Sequence, residues 1–395
     1  MPISYLIRSG TVVTPTRVFK GSVLVEGGKI ASVAEGDDLS PPRGAQVIDA
    51  SGSLVLPGFI DMHVHGGGGA DAMDGTYEAV NAMSIAHAKG GTTSMVPATV
   101  SAPAEDMMRA LDAIREAVRR GVDGARVLGA HLEGPYISKE QRGAQDERYI
   151  REPSDDEVAE LFNRDELRVV SAAPEVPGGL DLARKLSRKG VVMSIGHSDA
   201  TIYEVERAVE AGYSHVTHLY SGCSTVRRIR AYRYPGVVEA ALLLDDLSVD
   251  IIADGKHLPP HLIRLIIKSK GIKGVSAITD AMRAAGMPPG RYRLGEQEVV
   301  VDEGVAWLQD RSAFAGSVST MDRMFEVLVS EVGVGVSEAA AMLSTNPASV
   351  LGLRRKGRIA EGYDADITVM KGFRAILTMS EGRVIYSAGG KDHSA

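Results

Sequence analysis

Phe59-Ile-Asp-Met-His-Val-His-Gly66 is the stretch on which the fold turns. It is a short apolar run that breaks into the glycines Gly66 to Gly69, the pattern of a buried strand ending where backbone can approach whatever sits above it. Side chains on a strand alternate between faces, so His63 and His65 point one way and Val64 the other. Two imidazoles on one strand face can share a metal ion. An exposed pair, a helical stretch, or core histidines bonded to backbone would show the same spacing, so the dipeptide alone does not choose among them.

Working outward, the segment after residue 59 repeats one unit: a short apolar strand, a polar loop, an amphipathic helix. Strands are expected at 59–65, 92–99, 126–133, 169–174, 191–197, 214–219, 248–254 and 275–280. Helical stretches lie between them. One covers 102–120, with Met107, Met108, Leu111, Ile114 and Val118 on its apolar stripe; another, 154–162, opens with Ser154-Asp-Asp-Glu157 as a capping box. Eight such units in series predict a parallel sheet closed into a (β/α)8 barrel, an α/β fold of the TIM type. Both flanks read differently. Val23-Leu-Val-Glu-Gly-Gly-Lys-Ile30 predicts two strands about a Gly27-Gly28 turn. Beyond the barrel, a helix at 337–351, interrupted at Asn346-Pro347, gives way to strand-and-turn texture at 357–370 and at 375–387, with a Glu381-Gly382 turn. The economical expectation is that 1–56 and 350–395 join as one small β-sandwich domain beside a barrel domain of 57–349.

Composition narrows the function classes. Hydrophobic residues at 44% and charged residues at 24% describe a soluble globular chain. With 44 basic against 51 acidic residues the net charge is -7, so no general field attracts nucleic acid or an anionic membrane, and an anionic ligand must be met by local cations. Cys223 is the sole cysteine, which rules out an intrachain disulfide. The start, Met1-Pro-Ile-Ser-Tyr-Leu-Ile-Arg-Ser-Gly10, lacks the basic-then-apolar order of a signal peptide, and no run of 18 apolar residues occurs. The expected location is the cytoplasm.

In a (β/α)8 barrel the active face is formed by the C-terminal ends of the strands. Read in order, those ends carry His63 and His65, Glu133 in His131-Leu-Glu-Gly-Pro135, His197, His218, His257 just past Asp254-Gly255, and Asp280. Strands buried on both faces are otherwise apolar, so this concentration of ligand-type side chains at one end is a site. Imidazole nitrogen and carboxylate oxygen together suit Zn, Fe, Mn or Co, with positions left open for water and substrate. Other histidines read as structural: His87 on a predicted helix, His215 facing away from His218, His261 at a helix start, and His393 in the tail. His131, on the Glu133 face but one layer down, is placed to support a ligand from behind. Cys223 reads as packing or loop lining. A metal-activated water beside Asp280 has a neighbouring base for its proton, and the same acid can protonate a departing amine, so amide hydrolysis is the natural reaction.

These residues resemble the metal-dependent amidohydrolase superfamily, and within it the N-acetylglucosamine-6-phosphate deacetylases. The resemblance runs over nearly the whole chain, through Leu56-Pro-Gly58, Gly90-Gly-Thr-Thr93, His131-Leu-Glu-Gly-Pro-Tyr-Ile137, Ile195-Gly-His-Ser198, Thr217-His-Leu-Tyr220, Asp254-Gly-Lys-His257, Thr279-Asp-Ala-Met282, Ala315-Gly-Ser317, Asn346-Pro-Ala348 and the closing Gly362 to Asp366 segment. It implies that Glu133, His197 and His218 ligate a principal divalent metal, that His63 and His65 add a second, and that Asp280 touches the metal as acid/base. It implies that His257 polarises an acetyl carbonyl. Substrate contacts would fall at Gly143, Ala144, Gln145, Ser221, Gly222, Arg233, His257 and Ala315. Arg233, before Pro235-Gly236, would reach the phosphate of an amino-sugar phosphate from the partner subunit of a homodimer.

Departures fall on the substrate side. The family usually has Asn-Ala-Met after His-Leu-Tyr, where this chain has Ser221-Gly-Cys223 and then a basic loop with Arg227, Arg228 and Arg230. It commonly has Lys-Gly-Ala-His where this chain has Arg142-Gly-Ala-Gln145. A different N-acyl substrate, another N-acetylhexosamine or a cyclic amide, is the alternative. The dihydropyrimidinase type of cyclic-amide hydrolase uses a carbamylated lysine at the end of strand four, where this chain has Ala173-Pro-Glu175. A non-catalytic barrel would be expected to have lost a ligand or the acid/base, and none is missing.

Overall fold

The computed structural model describes residues 3–389; His393 lies outside them. The first barrel strand, Phe59–Val64, is buried along its whole length and pairs in parallel with Thr92–Pro97. That second strand pairs with Arg126–Val127 and, through a parallel Ala98–His131 bridge, meets Ala130–Glu133. The order continues through Leu167–Ala172, Val192–Ile195, Tyr213–Val216, Ser248–Ile252 and Val275–Ile278. Closure is made by the first and eighth strands: Val64 bridges Ala281, the Asp280 amide donates to the His63 carbonyl at 3.0 Å, and the buried Asp61 carboxylate accepts the Thr279 hydroxyl at 2.5 Å and amide at 3.2 Å. Eight parallel strands, each at a predicted segment, thus form the barrel.

The outer helices follow the apolar periodicity. Ala104–Arg120 buries Met107, Leu111 and Ile114, and Asp155–Phe162 starts at the expected capping box, with Ser154 Oγ accepting the Glu157 amide and Glu157 returning a carboxylate oxygen to the Ser154 amide, both at 3.2 Å. Asn346-Pro347 does not interrupt the last helical segment. Helical turns run from Val336–Ala340 through a wider i→i+5 turn at Ala341–Thr345 into Asn346–Val350. The proline therefore sits at the head of a new turn, where its missing N–H costs nothing. Asn346 Nδ2 donates to the carbonyls of Ile272 at 2.7 Å and Val275 at 2.6 Å, anchoring this helix beneath the eighth strand.

The two chain ends meet in one eight-stranded sheet. Tyr5–Val13 is its pivot: its first half pairs with Gln46–Asp49, its second half with Leu54–Pro57, and a register shift between Ile7 and Gly10 separates the halves. Leu54–Pro57 in turn pairs antiparallel with Ile367–Lys371, followed by Arg374–Ser380 and Arg383–Ser387. Tyr5, Ile7, Val23, Ile30, Val55, Ile367 and Met379 form its core. Most of 357–370 is irregular instead of strand, held by Lys356, whose ammonium meets Asp366 at 2.9 Å, Glu381 at 3.0 Å and Asp364 at 3.3 Å. None of the helices among the described residues is long and apolar enough to cross a membrane.

Two insertions are absent from the sequence expectation. Arg227–Ile229 and Tyr232–Tyr234 make the basic loop a β-hairpin. Gly290–Leu294, Gln297–Asp302 and Val305–Leu308 make a three-stranded antiparallel sheet after the eighth strand, with a core of its own that includes Leu294, Val299, Ala306 and Ala315.

Candidate metal centre

Glu133 stands at the centre of the strand ends, and its two carboxylate oxygens face different partners. Oε1 lies 2.9 Å from His218 Nε2, 3.3 Å from His197 Nε2 and 3.5 Å from His63 Nε2. Oε2 lies 3.4 Å from His65 Nε2. Asp280 Oδ1 approaches His65 Nε2 to 3.0 Å and His63 Nε2 to 3.5 Å. The structure thereby brings together all six residues expected to hold metal, each buried. His131 lies below, its ring 4.3 Å from that of His63 and its Nε2 bonded to Ser171 Oγ at 2.7 Å.

Three of these residues hold left-handed backbone, with φ of 49° at His197, 30° at His218 and 47° at Asp280. Non-glycine residues persist there only where their surroundings over-determine them, at about 1–3 kcal/mol each. The contacts that do so are visible. The His197 carbonyl accepts the Ser138 amide at 2.8 Å, the Asp280 carbonyl accepts the Ser317 amide at 2.7 Å, and the His218 amide donates to the Asp250 carboxylate. Gly222 completes the arrangement, because a Cβ at its φ of 56° would fall 2.6 Å from His197 Nδ1.

Electrostatically the centre is an anion pair wrapped in imidazoles. Burial lowers the affinity of His65 and His218 for a proton, but hydrogen bonds to Asp280 and Glu133 respectively reverse this and raise both rings to about 9. Burial would raise the two carboxyls; His63 and its neighbouring imidazoles outweigh it, bringing Asp280 to about 2 and Glu133 well below the carboxylate range. His63, the most enclosed, is pushed down by burial.

A cavity opens over this centre, lined among others by Gly143, Ala144, Gln145, Ser221, Gly222 and His257. His257 is held by Asp254, which accepts its Nδ1–H at 2.9 Å and its amide at 2.9 Å. Two expected substrate contacts are not in this lining. Ala315 is wholly buried in the core of the three-stranded insertion, and its neighbours Ala313, Phe314 and Gly316 reach the cavity instead. Arg233 is exposed on the hairpin, its guanidinium bonded to the Ala231 carbonyl at 3.0 Å. Sequence reasoning also missed Leu294 and Phe314, an apolar wall of the cavity. Of the histidines read as structural, His87 is bonded to the Gly66 carbonyl at 2.8 Å and His215 to Ser248 and Asp250, while His261 is exposed and outside the cavity lining. Cys223 is buried outside the lining.

A sequence profile of the amidohydrolase family matches residues 54–385. The chain belongs to the amidohydrolase family. A profile for the composite domain of allantoinase matches residues 3–50, within the small sheet. This amidohydrolase is 37% identical over 371 residues to the N-acetylglucosamine-6-phosphate deacetylase of Lysinibacillus sphaericus, covering 93% of this chain and 94% of that one. It is 36% identical over 314 residues to the N-acetylgalactosamine-6-phosphate deacetylase of Escherichia coli O157:H7, covering 79% and 82%. Its structure superposes with a TM-score of 0.89 on a mutant of the Mycobacterium smegmatis N-acetyl-D-glucosamine-6-phosphate deacetylase in complex with N-acetyl-D-glucosamine 6-phosphate, at 31% identity, covering 98% of this chain and all of that one.

The donor set of this amidohydrolase fits a divalent cation. His65, His197 and His218 each engage a backbone carbonyl through Nδ1, of Ala98 at 3.3 Å, Gln141 at 2.8 Å and Ser221 at 3.0 Å. The proton is thereby placed on Nδ1 and the Nε2 lone pair is left for the centre. Donor atoms of His63, His65 and Glu133, and again of Glu133, His197 and His218, all lie within 4.8 Å of one another. Metal uptake must displace the protons that His65 and His218 otherwise hold.

Proposed function

We propose that this amidohydrolase hydrolyses the acetamide of an N-acetylhexosamine 6-phosphate, with N-acetyl-D-glucosamine 6-phosphate the leading substrate, to acetate and the amino-sugar phosphate. The observation that carries the reading is the convergence of Glu133, His197, His218, Asp280 and His257 on one cavity, in a chain matching named deacetylases over nearly its whole length. In this reading the domain of 57–349 supplies the chemistry, and 1–56 with 350–395 forms the supporting domain. Glu133, His197 and His218 hold a principal ion, Zn, Fe, Mn or Co; His63 and His65, with Glu133, offer a second place.

A bound ion supplies Lewis acidity toward water and the amide carbonyl. The chain's residues do the rest. Asp280, ionised and beside the donors, accepts the proton of the attacking water and passes it to the leaving nitrogen. His257, fixed through Nδ1 by Asp254, turns its other ring nitrogen to the cavity, where it binds the acetyl oxygen. Leu294 and Phe314 exclude water from one wall.

Charge supports a dimeric site. No lysine or arginine is among the residues that line the cavity, and a sugar phosphate needs a cation. Arg233, exposed and bonded within its own hairpin only to a carbonyl, is assigned to the phosphate of a substrate in the partner subunit of a homodimer. Another N-acyl substrate is the second reading, favoured by Ser221-Gly222 at the substrate face. Acetate release from N-acetylglucosamine, N-acetylgalactosamine and their 6-phosphates, with metal-stripped and metal-restored protein, decides between them. Preference for a phosphorylated sugar and dependence on metal are expected; turnover of only unphosphorylated substrates would sink the first reading.

A further inference from the structure

Gln145 is clamped at both ends. Its Oε1 accepts the Ser101 amide at 2.6 Å, and its Nε2 donates to Glu133 Oε2 at 2.6 Å. The first bond fixes which way the side-chain amide faces, so the second is a hydrogen bond to a carboxylate from a donor that cannot swing away. The backbone is fixed too, through a 2.9 Å bond from the Gln145 amide to the Arg142 carbonyl, and the residue is buried, with 6% of its surface exposed.

The oxygen that Gln145 engages is the one that matters for a second ion. Glu133 Oε1 faces His197 and His218 and also lies 3.5 Å from His63; Oε2 faces His65 and, with Oε1 engaged by the principal set, is the oxygen left for a set with His63 and His65. A donated N–H occupies one lone pair of Oε2 and draws charge from it, while holding the carboxylate so that Oε1 stays on the principal set. We propose that Gln145 is a positioning residue for Glu133, not a substrate contact: it pre-orients Oε1 for the principal ion and weakens the second place, so that the two places differ widely in affinity. The inference rests on the metal-dependent reading of the site but not on the identity of the substrate.

The test is metal binding itself, measured on stripped protein by elemental analysis at buffered free zinc and by competition with a chromophoric chelator, for wild type, Gln145→Leu and Gln145→Glu. Outer partners of metal ligands are worth about 10- to 100-fold in affinity. Gln145→Leu is expected to weaken the principal place by that factor and narrow the gap between the two. Gln145→Glu, which exchanges the N–H donor for a further anionic oxygen, is expected to fill the second place at zinc at least about tenfold lower than wild type. The KM for the acetylated substrate, taken at saturating metal, is expected to change less than either constant. Unchanged zinc constants in both variants together with a raised KM would overturn the proposal and return Gln145 to the substrate face. A failed deacetylase assay with shifted zinc constants would overturn the proposed reaction alone.

Discussion

Asp280 carries the proton traffic in the proposed reaction, and its surroundings keep it ionised against the cost of burial. Asp280→Asn preserves size and most hydrogen bonding but cannot hold the proton. It is expected to lower kcat by about 10²- to 10⁴-fold. The principal ion should be retained on elemental analysis, since Glu133, His197 and His218 do not depend on Asp280; near-normal turnover would remove it from the mechanism. Residues of this kind were legible in the sequence because the C-terminal ends of the barrel strands form the active face, and there a histidine or carboxylate stands out against an apolar run. Ala315 was misread for the converse reason. Its backbone lies beside the site, but its methyl group turns into the core of an insertion that no single residue announces.

Insertions are where element-level reading was weakest. Gly290–Leu294, Gln297–Asp302 and Val305–Leu308 do alternate, and Gly295-Glu296 and Glu303-Gly304 do mark turns. Their outward positions, Arg291, Arg293 and Glu298, are charged, however, and their inward ones pack a satellite cluster, so the apolar signal is thin beside that of the barrel strands. The wide turn ahead of Pro347 was equally hidden, since its backbone adjustment has no side-chain signature. The Arg227–Tyr234 hairpin carries a functional forecast. Arg227 is spent on Asp199; Arg228 and Arg233 each bond only a backbone carbonyl of the hairpin, of Arg230 and Ala231, and Arg233 is the one that stands before Pro235-Gly236. Losing a charge-assisted contact costs about 1.5–3 kcal/mol. Arg233→Ala is therefore expected to raise KM for the 6-phosphate about 10- to 100-fold and to leave the unphosphorylated sugar nearly untouched; equal effects on both would exclude a phosphate contact.

At the scale of the molecule, barrel and terminal sheet share one buried charge cluster. Lys356 is 8% exposed on its side chain and pairs with Asp364, Asp366 and Glu381, while Lys29 also pairs with Asp364 and Glu381 reaches Arg126 beside the second barrel strand at 2.7 Å. Removing one partner from such a cluster leaves buried charge uncompensated, at about 3–5 kcal/mol. Lys356→Ala is expected to lower the urea midpoint accordingly, whereas Arg126→Ala, at the exposed rim, should shift it little. The sheet that this cluster supports has a further consequence, for the order in which the chain can fold as it is made. Leu54–Pro57 leaves the ribosome before any barrel strand, yet its partner Ile367–Lys371 is among the last segments to follow. Throughout synthesis the early half of the sheet therefore waits with an open apolar edge, which invites pairing with another chain. A nascent or truncated chain ending before residue 367 is thus expected to pair its early strands with one another yet keep the Leu54–Pro57 edge open to other chains.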